Sequence, residues 1–487
     1  MAFSKDLYPK KLWTYFYKLT EIPRPTGHLE QVIIYLQSFC VLHNLHYRTD
    51  KTGNFIIYKD AVPGYEKSQT VILQAHLDMV CQKEDDVQID FLTDPLTIDI
   101  EGDFVKAKGT SLGADNGIGV AAILAILASD DLIHGPIEAL FTVDEEVGMV
   151  GVSNLDKTLL TGRILINTDF EEEGKICIGC AGGTDMDISF QYRENSAVPE
   201  GDIAIQIILS GLKGGHSGVD IHLGRANALK LMNRFLKDAI SNYGARLASF
   251  YGGSARNAIP RSAYAVVTIP ADNGEAFWEL VADYRDTFIN EYRGIENTIR
   301  FDAFVANMPP YLIPEAIQDD LINALEAVHN GVLGMLCNYE NTVETSSNLG
   351  IISTSSGLIR IKFLERSCSE SKKYAACSSV ESLFSLAGAK VEYGTDYPAW
   401  EPVNSKLVEI VSESYRKTFG ENAPLDVMHA GLECGILANL LPDLQMIAIG
   451  PTILYPHSPG EKVSVLSTGR FWKLLISILD RIATRNI

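Results

Sequence analysis

Five short stretches of this chain carry side chains able to hold a metal ion: His76 with Asp78, Asp115, the acidic run Asp144-Glu145-Glu146, Asp169, and His457. Imidazole nitrogen and carboxylate oxygen together make a borderline donor set. It suits Zn2+, Mn2+ or Co2+, whereas an all-oxygen set would suit Mg2+ or Ca2+. Two imidazoles and three carboxylates are too many for one catalytic zinc, which keeps a position open. They fit two ions about 3.5–4 Å apart, with one carboxylate shared and two further ligands for each ion. The chemistry of such a pair is attack by an activated water.

Each signal has a plainer reading. The acidic triplet alone could be a solvated turn, and His43, His46, His134 and His329 are read as surface or core histidines without a role. The glycines between 113 and 119 do not follow the G-x-G-x-x-G order and no Walker lysine follows, so nucleotide binding is not supported. Neither H-E-x-x-H nor G-x-S-x-G occurs, which removes a thermolysin-like site and a serine-hydrolase elbow. Cys177 and Cys180 form a single C-x-x-C with no second pair, so they are read as small core or turn residues rather than a zinc ribbon.

What makes the set informative is the placement of its members. The apolar runs 70–74, 137–143, 163–167 and 445–449 read as strands. His76 and Asp78, the triplet, Asp169 and, after a loop, His457 follow the ends of these four runs. Asp115 precedes the small-residue helix 117–128. In open α/β sheets, ligands bind outside the carboxyl ends of the strands. Helices at 31–40, 433–441 and 468–484 complete an open, mostly parallel sheet with helices on both faces. Between 183 and 400 the texture changes. Strands at 203–209 and 264–269 accompany helices at 225–236 and 275–288. A similar series follows: a helix at 316–329, strands at 342–344 and 358–363, a helix at 377–386 and a strand at 390–393. The chain therefore divides into a catalytic α/β domain, 1–182 and 401–487, and an inserted α+β lid domain, 183–400. That insert is about twice the usual size of such a module, so it is read as doubled.

Composition narrows the partners. Of 487 residues, 46% are hydrophobic and 21% charged, as in an ordinary globular protein. A net charge of −21 argues against nucleic acid and against anionic membranes, because both are held by Lys and Arg. The N-terminal 20 residues lack an apolar secretory core, no run is long enough to span a bilayer, and the eight cysteines are scattered as reduced thiols would be. A cytoplasmic protein is expected.

The motifs His76-Leu77-Asp78-Met79-Val80, Gly113-Ala114-Asp115-Asn116-Gly117, Asp144-Glu145-Glu146-Val147-Gly148, Asn167-Thr168-Asp169 and Tyr455-Pro456-His457-Ser458 resemble the five metal-site motifs of the di-zinc exopeptidases related to carboxypeptidase G and aminoacylase. Among these, the chain is most similar to the aminoacyl-histidine dipeptidases. The resemblance covers essentially the whole chain, including Gly214-Gly215-His216-Ser217-Gly218 in the insert. It implies that Asp115 bridges two metal ions, usually Zn2+ with Mn2+ or Co2+ as alternatives. His76 and Asp169 would complete one ion, Glu146 and His457 the other. Asp78 would orient the His76 imidazole, and Glu145 would be general base and acid. His216 would donate to the oxyanion, and the peptide after the bridging aspartate would be cis. Arg366 would bind the substrate carboxylate, with Asn257 and the Gly431-Leu432-Glu433-Cys434-Gly435 stretch as further substrate wall.

The resemblance implies a small peptide substrate and leaves a homodimer open. Deacylation of N-acyl amino acids and tripeptide cleavage are the alternatives on the same scaffold, because the metal ligands set the chemistry and the insert sets the leaving group. A non-catalytic binding homologue is the third. Such relatives typically lose a ligand or the base, and all are present here.

Overall fold

The computed structural model describes residues 7–485; Lys5 and Asp6, two of the charges that interrupt the N-terminal stretch, lie outside them. The chain forms two compact units. One comprises residues 7–180, 400–427 and 432–485, and the other residues 181–399 and 428–431. No described helix is long and apolar enough to cross a membrane.

The first unit is built on an eight-stranded sheet in the order His46–Thr49, Phe55–Lys59, Ile137–Thr142, Val71–His76, Ile164–Asn167, Gln445–Ala448, Ile176–Cys180, Leu425–Met428. Its centre is parallel: Ile137–Thr142, Val71–His76, Ile164–Asn167 and Gln445–Ala448 all run the same way. Phe55–Lys59 on one side and Ile176–Cys180 on the other run antiparallel to this centre, and His46–Thr49 pairs antiparallel to Phe55–Lys59. Every residue of Val71–His76, Ile137–Thr142 and Ile164–Asn167 is buried, as required of strands covered on both faces. That is why these segments read as mostly apolar runs rather than as alternating ones. The helix Ala114–Leu127 is buried nearly all round, which its small and branched residues permit, and it packs against Lys10–Thr20 and the Val71–His76 strand. Val465–Arg485 packs against Lys406–Phe419. A four-stranded sheet, Ile453–Leu454, Lys462–Ser464, Phe104–Ala107 and Ile98–Glu101, frames the loop that bears His457. Cys177 and Cys180 are buried on the Ile176–Cys180 strand.

The second unit carries a nine-stranded sheet. Its main path runs Arg300–Val305, Asp202–Ser210, Ala263–Pro270, Arg246–Gly252, Val343–Ser355, Leu358–Ser367, Gly182–Gln191, Lys390–Tyr397. Alternate residues such as Ile205, Ile207 and Leu209, or Ile359, Ile361 and Phe363, enter one core. They meet Phe235 and Leu236 of the helix Ala228–Tyr243, Phe277 and Phe288 of Gly274–Glu291, Leu321 and Leu325 of Glu315–Ala327, and Phe384 of Glu370–Leu386.

Element bounds differ from the sequence reading where polar residues are buried. The strand expected at 342–344 extends over Val343–Ser355, because Thr345, Ser346, Ser347 and Asn348 are buried with hydrogen-bond partners rather than solvated. The helix expected from 225 starts at Ala228, capped by Asn227, whose side chain accepts from the amides of Leu229 and Lys230. The helix expected from 377 begins at Glu370.

Candidate metal centre

His76 is the last residue of its strand, the acidic run follows the end of Ile137–Thr142, and Asp169 lies just past Ile164–Asn167. Asp115 sits in the first turn of Ala114–Leu127, and the Asp115–Asn116 peptide is cis. Parallel pairing puts these strand ends side by side, and their side chains meet. His76 Nε2 lies 2.9 Å from Asp115 Oδ1 and 3.3 Å from Asp169 Oδ1. His457 Nε2 lies 2.9 Å from Asp115 Oδ2 and 3.1 Å from Glu146 Oε2. Each oxygen of Asp115 thus faces its own imidazole, and each imidazole Nε2 has one further carboxylate. Ligand atoms of His76, Asp115 and Glu146 lie within 4.8 Å of one another.

Burial alone would lower the pKa of His76, but the carboxylates of Asp169, Asp115 and Asp78 overturn this and hold it well above the usual imidazole value. The same contest pushes His457 up to about 11 through its hydrogen bonds to Asp115 and Glu146. Burial would raise Asp115, yet the two histidines hold it far below the ordinary carboxylate range. Asp169 is pushed up to about 6, chiefly by burial. Without a cation, protons on the imidazoles balance the carboxylates, and a divalent ion would replace those protons. Glu146 Oε1 is buried without a hydrogen-bond partner. The donor set therefore fits two divalent cations.

Glu145 differs from its neighbour. Its carboxylate takes no hydrogen bond from any described residue, and burial, with Asp169, Glu146 and Glu433 nearby, raises its pKa well above the usual value. Asp78 supports both sides of the site. Its carboxylate lies 3.6 Å from His76 Nδ1 and accepts from the amides of Glu145 at 3.0 Å and Glu146 at 3.2 Å, and from Thr26 Oγ1 at 2.9 Å. The Asp78 backbone carbonyl accepts from His76 Nδ1 at 3.1 Å, while its completely buried carboxylate holds the turn that presents the two glutamates, so this one residue fixes both the ring and the turn. Asp144 and His457 have left-handed backbone, with φ of 50° and 58°, a conformation uncommon outside glycine.

Two further charged residues brace the Asp115 loop. The Glu461 carboxylate accepts from the backbone amides of Leu112, Gly113, Ala114 and Asp115 at 2.7–3.2 Å. The buried guanidinium of Arg24 donates to the carbonyls of Leu77 and Asp78 at 2.9 and 3.2 Å, and to that of Gly113. This explains the glycines. A Cβ at Gly113 or Gly117 would stand 2.5 Å from an Arg24 nitrogen, and one at Gly119 2.3 Å from Thr168 Oγ1. The stretch is glycine-rich to admit a buried arginine and a neighbouring strand end, not a phosphate. Arg24 and Glu461 are invisible to motif reading, because each is a lone charge whose backbone partners lie 53 to 349 residues away.

In the second unit, Ser346, Arg366, Gly183 and Tyr397 form one row across four strands. Gly183 leaves room for the Tyr397 ring, whose hydroxyl accepts from Arg366 Nη1 at 2.6 Å. Arg366 is 4% exposed, its Nε has no partner, and no carboxylate pairs with it among the described residues. Ser346 Oγ lies 2.7 Å from Nε2 of His429, whose Nδ1 is also buried and unpartnered. His216 is on the short strand Gly215–His216, paired to Ala258–Ile259. Its Nδ1 accepts from the amides of Gly218 and Val219 at 3.2 and 3.0 Å, which puts the ring proton of the neutral form on Nε2. Asn257 precedes Ala258 and is exposed, and its carbonyl accepts from Ser217 N at 2.9 Å. Gly431 lies in the 429–432 link ahead of the helix Glu433–Leu440. Glu433 is completely buried within the first unit.

Comparison with known proteins agrees in kind. Residues 72–480 match the family model described as Peptidase family M20/M25/M40. The chain is 42% identical over 488 residues to the cytosol non-specific dipeptidase of Escherichia coli (strain K12), covering 100% of both chains. The crystal structure of aminoacylhistidine dipeptidase from Vibrio alginolyticus matches with a TM-score of 0.85 and 42% identity, over 98% of this chain and 97% of that one. Human carnosine dipeptidase 1 shares the fold, with a TM-score of 0.53 at 13% identity over 97% and 96% of the two chains.

Proposed function

Because the chain belongs to peptidase family M20/M25/M40, we propose that it is a cytoplasmic metallopeptidase that cleaves dipeptides at a pair of divalent ions, Zn2+ by preference. His76 and Asp169 would hold one ion, Glu146 and His457 the other, and Asp115 would serve both. The observation that carries this is the pairing at Asp115, where each carboxylate oxygen faces a separate histidine and each histidine Nε2 faces one further acid. When bound, such ions polarise a carbonyl and lower the pKa of water from 15.7 toward about 7.

The chain's own residues do the rest. Glu145, unencumbered by hydrogen bonds, takes the proton from water and returns it to the departing amine. A carboxyl whose pKa is raised by burial is suited to both halves of that transfer. Asp78 keeps Glu145 and the His76 ring in register. His216, with its proton on Nε2, is a donor for the oxyanion. Arg366, buried without an acid partner, is the anchor for the free carboxylate of the substrate, and such an anchor favours dipeptides over longer chains. Asn257 and Gly431 belong to the same substrate-binding surface.

The test is a side-by-side assay of β-alanyl-histidine, unrelated dipeptides, a tripeptide and an N-acetyl amino acid, before and after chelation. Dipeptide cleavage that is lost with chelator and restored by Zn2+, Mn2+ or Co2+ is the expected result. Preference for the tripeptide or the acyl amino acid would replace the proposal with one of its alternatives.

A further inference from the structure

Glu433 has no part in the reaction just described, yet its completely buried carboxylate ends a chain of hydrogen bonds that begins at Asp169. Glu433 opens the helix Glu433–Leu440. Its Oε2 accepts from Thr142 Oγ1 at 2.6 Å and from Gln74 Nε2. With that nitrogen committed to Glu433, the Gln74 oxygen faces the other way and accepts from Asn167 Nδ2. Asn167 is left with its oxygen toward the Asp169 amide, which donates to it at 3.0 Å. Gln74 and Asn167 are direct neighbours on parallel strands, and Thr142 sits beside His76 on the next.

Every link in this chain points the same way, from the Asp169 amide through Asn167 and Gln74 to Glu433. A side-chain amide can be turned either way at little cost, so two in series need a group at one end that fixes their direction. The Glu433 Oε2, which accepts from two donors at once, does this. Reversal would aim the Asn167 amino group at the Asp169 amide, two donors facing each other in a buried site, with the desolvation cost of both. We infer that Glu433 is a positioning residue for the metal centre: by fixing the direction of the Gln74 and Asn167 amides it sets the backbone entry of Asp169 and so the aim of its carboxylate beside His76. This rests on the reading that Asp169 and His76 are metal ligands. The stretch around Glu433, expected from resemblance to form substrate wall, would then act from beneath the site.

The experiment compares Zn2+ affinity, measured by competition with a chromophoric chelator, the visible spectrum of the Co2+-loaded protein, and kcat and KM, in the parent chain and three variants. Glu433→Leu removes the acceptor and is expected to weaken Zn2+ binding roughly 10- to 100-fold, the range for supporting partners of metal ligands, with shifted Co2+ bands. Gln74→Glu, assayed above the value of about 8 to which burial raises Glu433, sets two carboxylates against each other and should do the same. The double variant Gln74→Glu with Glu433→Gln restores an alternating chain, since the carboxylate placed at position 74 accepts both from Asn167 and from the amide placed at position 433. It should recover most of the affinity and the parental bands. Lowered thermal stability with unchanged Zn2+ affinity and Co2+ spectrum in both single variants would overturn the inference, as would failure of the double variant to outperform Gln74→Glu. The pair at position 74 keeps the test decisive if Glu433→Leu does not fold. A parent chain that binds no divalent ion would instead overturn the proposed function.

Discussion

Glu145 and Glu146 are adjacent in sequence and opposite in circumstance. Glu146 lies against His457, while Glu145 has no hydrogen-bond partner among the described residues. Replacing Glu145 with Ala should lower kcat by about 10²- to 10⁴-fold, the usual yield of general acid–base catalysis, and leave two metal ions per chain. Metal analysis alongside the kinetics checks this, and loss of an ion would exchange the two assignments. Arg366 calls for a different measurement. Removing a charged hydrogen-bond donor is worth about 1.5–3 kcal/mol, so Arg366→Ala should raise KM for dipeptides tenfold or more. An uncharged dipeptide amide should be far less affected. Equal effects on acid and amide would remove Arg366 from carboxylate binding.

At the scale of elements, the sheet of the second unit carries a second polar row beside that of Arg366, buried at Ser347, Glu365 and Thr184 and exposed at Asp396. Ser347, Glu365, Thr184 and Asp396 are aligned across four strands. Ser347 Oγ donates to Glu365 at 2.6 Å, and Lys373 lies 2.9 Å from Asp396. Glu365 itself has no cation partner among the described residues, and burial pushes its pKa up to about 8 against an ordinary 4.5. Between those values the folded chain keeps a proton that the unfolded chain has released. This contribution to stability is therefore full below the ordinary carboxyl value and is lost as pH rises toward 8, at up to about 1.4 kcal/mol per pH unit. Thermal melts from pH 5 to 8 should show a steeper decline for the parent than for Glu365→Gln, in which nothing titrates at that position. Parallel curves would mean that the carboxyl is ionised in the fold.

For the whole molecule, a net charge of −21 meets a local concentration of acid at the candidate centre, where burial and like charge also raise Glu171 well above its usual pKa. Ions that bind only the folded state stabilise it by mass action, about 2.7 kcal/mol at a concentration 100 times the dissociation constant. Chelation should therefore lower Tm by several degrees, reversibly on adding Zn2+. A Tm indifferent to chelator and metal would argue that the cluster holds no tightly bound cation.

Much of this centre is legible in the sequence because its parts obey local rules. Largely apolar runs mark strands covered on both faces, and the chain leaves each of them at the same end of a parallel sheet. Residue type and placement, from His76 to His457, then point to two histidines and several acids gathered at one sheet end, and the family resemblance of the motifs assigns the five candidate ligands and Glu145 among them. The bracing is not legible. Arg24, Glu461 and Glu433 recur in no pattern, and their partners lie 53, 349 and 359 residues away, so only folding brings them together. The strand Val343–Ser355 is likewise cut short by periodicity, since Ser346 and Ser347 look solvated until His429 and Glu365 are placed against them. Sequence thus determined which side chains could do the chemistry, because composition and periodicity are written locally. Tertiary structure alone decided what holds them in position, because a buried charge or amide takes its meaning from partners that proximity along the chain does not supply.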